Sequence, residues 1–213
     1  MAITQISELY EMQKVLDARI IKEKGLEGQD LLPNTVLALQ VEIGELANEW
    51  RGFKHWSKDQ QPRYERKCHA CNGDGGFMGG TFEESEMCLY CEGTGFEARP
   101  LLEEYVDCLH FLLSIANQLG LPEDDLYVAE DELEGETAIV FTDLLHNVGL
   151  INGHHFLLNP PIDIPKWQRD HLRGALYIFY NLGEQRFGFT FEQIAEAYVA
   201  KNEVNHARQA NGY

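Results

Sequence analysis

The chain has 213 residues, 44% of them hydrophobic, and a formal net charge of −18. That length and apolar share suit one globular domain, alone or with a small insert. The acidic balance gives no general attraction to nucleic-acid backbones or anionic membranes, and no apolar run approaches the ~20 residues that span a bilayer.

Residues 7–24 place Leu9, Met12, Leu16 and Ile20 on one helical face, with Gly25 as a stop. Residues 33–51 predict a second helix, opened by Pro33 and ended by Gly52. Its apolar stripe is Leu39, Ile43, Leu46 and Trp50. Residues 57–99 are rich in Gly, Cys and charge, and read as an insert between two helices. A third helix follows Pro100, with Leu101, Tyr105, Leu109, Leu112 and Ala116 as its stripe. Residues 121–136 are acidic and irregular, with one short helical turn. Residues 138–157 read as helix. The stretch NPPIDIP at 159–165 reads as a break that excludes helix. Two more helices fit 166–182 and 191–208, the last opening with Thr190 and Gln193 at capping-box spacing. No alternating run is long enough for a sheet. Each helix has one apolar stripe to bury, so the expected fold is an all-α helical bundle. Residues 1–213 are expected to form a single domain containing the 57–99 insert.

The segment VEIGELANEW sets Glu42, Glu45 and Glu49 at i, i+3 and i+7, beside the apolar stripe. Glu104 and Asp107 stand at i and i+3 on the third helix, again flanking its stripe. Carboxylates crowded at a packed edge repel one another, and protons or a metal relieve them. Hard oxygen ligands in this number suit Mg²⁺ or Mn²⁺. Solvated helix faces, with acidic residues meeting the helix dipole, produce the same spacing. Spacing alone leaves both readings open.

The insert contains CHACNGDG and CLYCEGTG, two copies of Cys-x-x-Cys-x-Gly-x-Gly. Cys68, Cys71, Cys88 and Cys91 make a closed tetrahedral zinc set, and the duplicated spacing with glycines argues against disulfides or a redox pair. With no fifth ligand the zinc is expected to be structural. The knuckles resemble those of the DnaJ-type zinc module, which implies a folding device only. Cys108 on the third helix is expected in the core. The opening MAITQISELYEMQ lacks the basic and apolar regions of a signal peptide, so a cytoplasmic setting is expected. At the other end, Lys201, Asn205 and Arg208 share a helical face at i, i+4 and i+7. Such a face can grip phosphates, or can simply satisfy the dipole of a solvated last turn.

Four segments in order resemble one family. They are MQKVLDARI, EIGELANEWRGFKHW, EEYVDCLHF and the terminal KNEVNHARQANGY. The chain resembles the dimeric, all-α dUTPases, within the MazG-like all-α nucleoside triphosphate pyrophosphatases. The resemblance covers most of the chain outside the cysteine insert. It implies that Glu42, Glu45, Glu104 and Asp107 bind Mg²⁺. It implies that Lys201, Arg208 and Lys54 contact the phosphate chain, while Asn202, Asn205 and Tyr213 complete the nucleotide site. Gln13 and Asp17 would face the base, Trp56 and Phe111 would wall in uracil or deoxyribose, and His110 would lie near the sugar. For Trp56, His110 and Phe111 packing between helices is the competing role.

Two departures stand out. Several members carry Asn where this chain has Asp17. An ionised Asp only accepts hydrogen bonds, so it suits a cytosine amino group as well as uracil N3–H. The zinc insert is the second, since other members join the two carboxylate helices by a short connection. The implied reaction is dUTP + water → dUMP + pyrophosphate, with Glu45 as the preferred general base, Glu42 beside it and Glu49 in reserve. A homodimer is implied by the resemblance. The rival readings are a dCTP or broader dNTP pyrophosphatase and, from another class, a non-catalytic zinc-knuckle interaction protein.

Overall fold

The computed structural model describes residues 5–78, 85–128, 131–153 and 163–211. Among them are six α-helices: α1 (Ile6–Lys24), α2 (Leu32–Trp50), α3 (Pro100–Gln118), α4 (Thr137–Leu150), α5 (Ile164–Asn181) and α6 (Phe191–Ala210). The all-α bundle expected from the stripes is the fold, with the cysteine insert between α2 and α3.

Helix α3 is the axis of the bundle. Leu101, Tyr105, Leu109, Leu112 and Ala116 are all buried, and so are Leu102, Val106, Leu113 and Ile115 on its other sides. A helix apolar nearly all round must be surrounded, and α1, α2, α5 and α6 surround it. Its closest neighbour is α2, through Leu39, Ile43 and Leu46. Helices α4 and α5 pair on one side, and the Tyr105 ring stacks on Phe179 at 4.1 Å. The apolar segment 175–182 is spent in this core: Leu176 and Phe179 are fully buried, and Tyr177, Ile178 and Tyr180 pack against it. Cys108 is buried as expected.

Helix α1 ends at Gly25 in the left-handed region, with φ 63°. Helix α2 departs from expectation: its left-handed cap is Arg51, φ 64°, and Gly52 lies one residue beyond. The conformation is costly for a side chain. The Arg51 guanidinium offsets it by donating to the Asp59 carbonyl at 2.9 and 3.1 Å. Gly52 is needed for another reason, because a Cβ there would enter the Trp50 ring.

Three further boundaries differ. Helix α4 stops at Leu150 and not at 157; of that expected stretch, residues 154–157 lie outside the described residues. Ile164 and Pro165 belong to α5, although NPPIDIP was expected to exclude helix. Proline is tolerated in a first turn, where its missing N–H has no partner to lose, and Asp163 caps that turn by accepting from Lys166 N. Helix α5 then widens into a π-turn over Leu182–Arg186. The Thr190/Gln193 capping box opens α6 as expected.

The insert holds short antiparallel ribbons, which the absence of alternating runs did not foretell. Strand β1 (Arg66–Lys67) pairs with β4 (Phe96–Ala98), and β2 (Gly76–Met78) with β3 (Ser85–Met87). Strands of two or three residues are too short to leave a periodic trace.

Candidate active site

Four helices enclose a cavity of about 460 Å³. Helix α1 contributes Gln13, Asp17 and Ile20, and α2 contributes Thr35 and Glu42. Helix α3 contributes Asp107, His110, Phe111, Ser114 and Asn117, and α6 contributes Lys201, Asn205 and Arg208. On each helix these residues recur at three- and four-residue steps, so one face of each turns inward.

Carboxylates gather at one end. Oxygens of Glu42, Glu45 and Glu104 lie within 4.8 Å of one another. Glu42 and Glu104 are half-buried and Glu45 is exposed. Burial, reinforced by Asp107 and by the other glutamates, pushes the Glu104 carboxyl up to about 7. Burial and then Asp107 and Glu45 raise Glu42 too. Lys201 opposes both shifts, and its Nζ donates to Asp107 Oδ2 at 2.5 Å. The cluster is short of positive charge, and its donors are hard oxygens at a solvent-open edge. That chemistry fits a divalent cation such as Mg²⁺ or Mn²⁺.

The cavity floor is a polar network. Gln13 Nε2 donates to Asp17 Oδ1 at 2.7 Å, and Asn117 Nδ2 donates to Asp17 Oδ2 at 2.9 Å. The Tyr198 hydroxyl donates to Gln13 Oε1 at 2.6 Å, and His110 Nδ1 lies 2.7 Å from the same oxygen. The His110 and Tyr198 rings stack at 3.9 Å. Burial, with Lys201 adding to it, pushes the imidazole down to about 3, so it is neutral. Burial raises Asp17, opposed by hydrogen bonds from Asn117, Gln13 and Ser114.

The structure therefore brings together Gln13, Asp17, Glu42, Asp107, His110, Phe111, Lys201, Asn205 and Arg208 around one cavity, with Glu45 and Glu104 at its acidic end. Lys54 and Trp56 are not in its lining. Lys54 bonds the Asn48 amide oxygen, and Trp56 is 68% exposed, edge-on to Phe53 and His55. Asn202 is buried but outside the lining, and Glu49 is held by Arg63 at 3.4 Å. Tyr213 lies outside the described residues. Sequence reasoning missed Tyr198, Ser114 and Asn117. Each carried a signal: Tyr198 is three residues before Lys201, while Ser114 and Asn117 continue the Asp107/His110 face at i+7 and i+10.

In the insert, all four thiols converge within 4.8 Å. Sγ separations are 3.9 Å for Cys68–Cys88 and 3.7 Å for Cys71–Cys91, and all four are free thiols. A tetrahedron with Zn–S bonds of ~2.3 Å has edges of about 3.8 Å, so the set fits zinc. Gly75 N and Gly95 N each donate to a sulfur at 3.3 Å. Both glycines have positive φ, and a Cβ on either would strike the opposite knuckle's backbone oxygen at 2.5 Å. Burial opposes ionisation of Cys91, but the Gly95 N–H and the neighbouring thiols bring it down to about 7.

No helix among the described residues is long and apolar enough to cross a membrane. A family model described as dUTPase matches residues 5–68 and 93–213. The gap between the two matched segments, residues 69–92, takes in most of the two knuckles, with Cys68 and Gly93–Gly95 at its edges. No curated protein matches the chain.

Proposed function

We propose dUTP as the substrate of this chain, which belongs to the all-α dUTPase family. The family implies a nucleotide pyrophosphatase that uses a divalent metal. The observation that carries the reading is one cavity with an acidic end, two cations of α6 beside it and a polar floor that can meet a base.

Glu42, Glu45, Glu104 and Asp107 would hold Mg²⁺, which when bound neutralises phosphate charge and acidifies water. Lys201 and Arg208 bind the phosphate chain, and Lys54, bonded to Asn48 outside the cavity lining, would join them only by swinging in from the loop after α2. Asn202, Asn205 and Tyr213 complete the nucleotide site. Gln13 and Asp17 face the base, His110 lies near the sugar and Phe111 walls in the nucleoside, while Trp56, exposed outside the lining, would add to that wall only by moving in. Glu45, the most solvent-open carboxylate of the cluster, accepts the proton of the attacking water. The water oxygen bonds to the α-phosphorus, the bond from that phosphorus to the bridging oxygen breaks, and pyrophosphate leaves with the electron pair. The four thiols would hold a structural zinc. Residues 1–213 then form one catalytic domain carrying the 57–99 insert, working as a homodimer in a cytoplasmic setting.

Asp17 supports a second reading, dCTP. Its buried carboxylate can accept from a cytosine amino group as well as from uracil N3–H. A panel of dUTP, dCTP and dTTP with Mg²⁺, scored by kcat/KM for monophosphate and pyrophosphate, decides. The expected order places dUTP first. Preference for dCTP reverses the substrate assignment, and no hydrolysis of any nucleotide by folded protein favours a non-catalytic zinc-knuckle protein.

A further inference from the structure

The hydrogen-bond directions in the cavity floor follow from one residue. Three donors face Asp17, from Gln13, Asn117 and Ser114, and an ionised carboxylate only accepts. Gln13 must therefore turn its Nε2 toward Asp17, which leaves Oε1 toward Tyr198 and His110. Oε1 cannot donate. The Tyr198 hydroxyl and His110 Nδ1 must both give it their hydrogens, at 2.6 and 2.7 Å. The ring is buried, 6% exposed, and burial, then Lys201, pushes its pKa down to about 3 against the raising effect of a backbone hydrogen bond at Tyr198, so it carries one proton. Once Nδ1 carries the hydrogen, Nε2 is a bare lone pair. That atom is buried and has no partner among the described residues.

We propose that Asp17 is a positioning residue that acts through Gln13, fixing His110 in the Nδ1–H tautomer and making Nε2 an acceptor that selects a hydrogen-bond donor on the ligand. The chain of contacts runs from α1 to α3 and is clamped from α6 by the Tyr198 ring. An Asn at position 17 offers one acceptor to two amide donors, so Gln13 or Asn117 would have to turn. Residue 17 thereby sets the polarity of the floor several contacts away from itself. The tautomer assignment is independent of the proposed substrate; the donor on the ligand rests on the nucleotide reading.

The test is a long-range ¹H–¹⁵N correlation spectrum of the metal-free full chain, ¹⁵N-labelled at histidine, at pH 7. His110 peaks are identified by their loss in His110→Asn. The expected result is one neutral tautomer with an unprotonated Nε2. A proton on Nε2, alone or together with Nδ1, overturns the proposal. In folded Asp17→Ala or Asp17→Asn the Nε2–H form is expected to appear; an unchanged His110 spectrum overturns the role of Asp17. The ligand arm compares α,β-imido-dUTP with its 3′-deoxy and N3-methyl counterparts. Removing the donor that meets Nε2 is expected to weaken binding about tenfold, as for loss of one buried hydrogen bond. Equal binding of all three overturns the selection by Nε2. If the parent analogue fails to bind while the tautomer is as stated, the nucleotide reading fails and the role of Asp17 stands.

Discussion

At the scale of single residues, the carboxylates were legible because an α-helix converts i, i+3 spacing into one face. Three of the four, Glu42, Glu45 and Glu104, converge as one group, while Asp107 beside them pairs with Lys201. Their ionisation was not legible, because it depends on burial and on which carboxylates from α2 and α3 meet. Glu104 shows the consequence. Its folded pKa, about 7, lies above its ordinary 4.5, so the metal-free folded state keeps a proton that the unfolded chain has lost between those values. This contribution is fully present below pH 4.5 and is lost as the pH rises through 7. Thermal melts of the metal-free protein should therefore lose more Tm across that range in the wild type than in Glu104→Gln, and Mg²⁺ should restore stability at pH 7 and above. Equal pH slopes in the two proteins would count against the cluster. Lys201 offers a second check. Lys201→Met removes the cation paired with Asp107 and lining the cavity. Loss of a charged hydrogen bond is worth ~1.5–3 kcal/mol, so KM for dUTP should rise from about tenfold to over a hundredfold. An unchanged KM would remove Lys201 from the phosphate site.

At the scale of elements, helix existence and stripes were legible, and the ends less so. Arg51 takes a left-handed cap that glycine usually takes, because its guanidinium finds the Asp59 carbonyl. Pro165 sits inside α5 because a first turn forgives it. Neither reason is written in local spacing. Tyr198, Ser114 and Asn117 escaped for a different reason: a neutral polar residue on a core helix announces nothing until its partner on another helix is known. The insert was the reverse case, since duplicated knuckles with fixed glycines define their own geometry. Its ribbon is tied to the bundle through the flanking residue Arg63, whose N–H donates to Glu49 O and whose carbonyl accepts from Leu101 N. Stripping zinc with a chelator should raise proteolysis within 57–99 while far-UV CD keeps the helical signal. Loss of the helical signal at the same chelator concentration would show that the bundle depends on the metal. Gly75→Ala should reduce bound zinc per chain, because its Cβ meets Gly93 O at 2.5 Å; full zinc content would contradict that contact.

For the whole molecule, α3 ties stability to function. One helix supplies the centre of the core and the Glu104, Asp107 and His110 side of the cavity. Leu112 is fully buried there, so Leu112→Ala should cost ~2–5 kcal/mol in urea unfolding, and a cost under about 1 kcal/mol would mean the core is not packed as described. The all-α architecture could be read from composition and periodicity, whereas the closing of four helices on one cavity could not, since it needs the packing order of α1, α2, α3 and α6. The cavity is proposed to hydrolyse dUTP with a divalent metal on its carboxylates. The most direct test is pyrophosphate release from dUTP with Mg²⁺, in wild type, Glu42→Gln and Asp107→Asn, each shown to be folded by CD. Turnover is expected in the wild type and should fall by at least about a hundredfold in both variants, as for removal of a group stabilising the transition state. Near-normal turnover in both variants would contradict it.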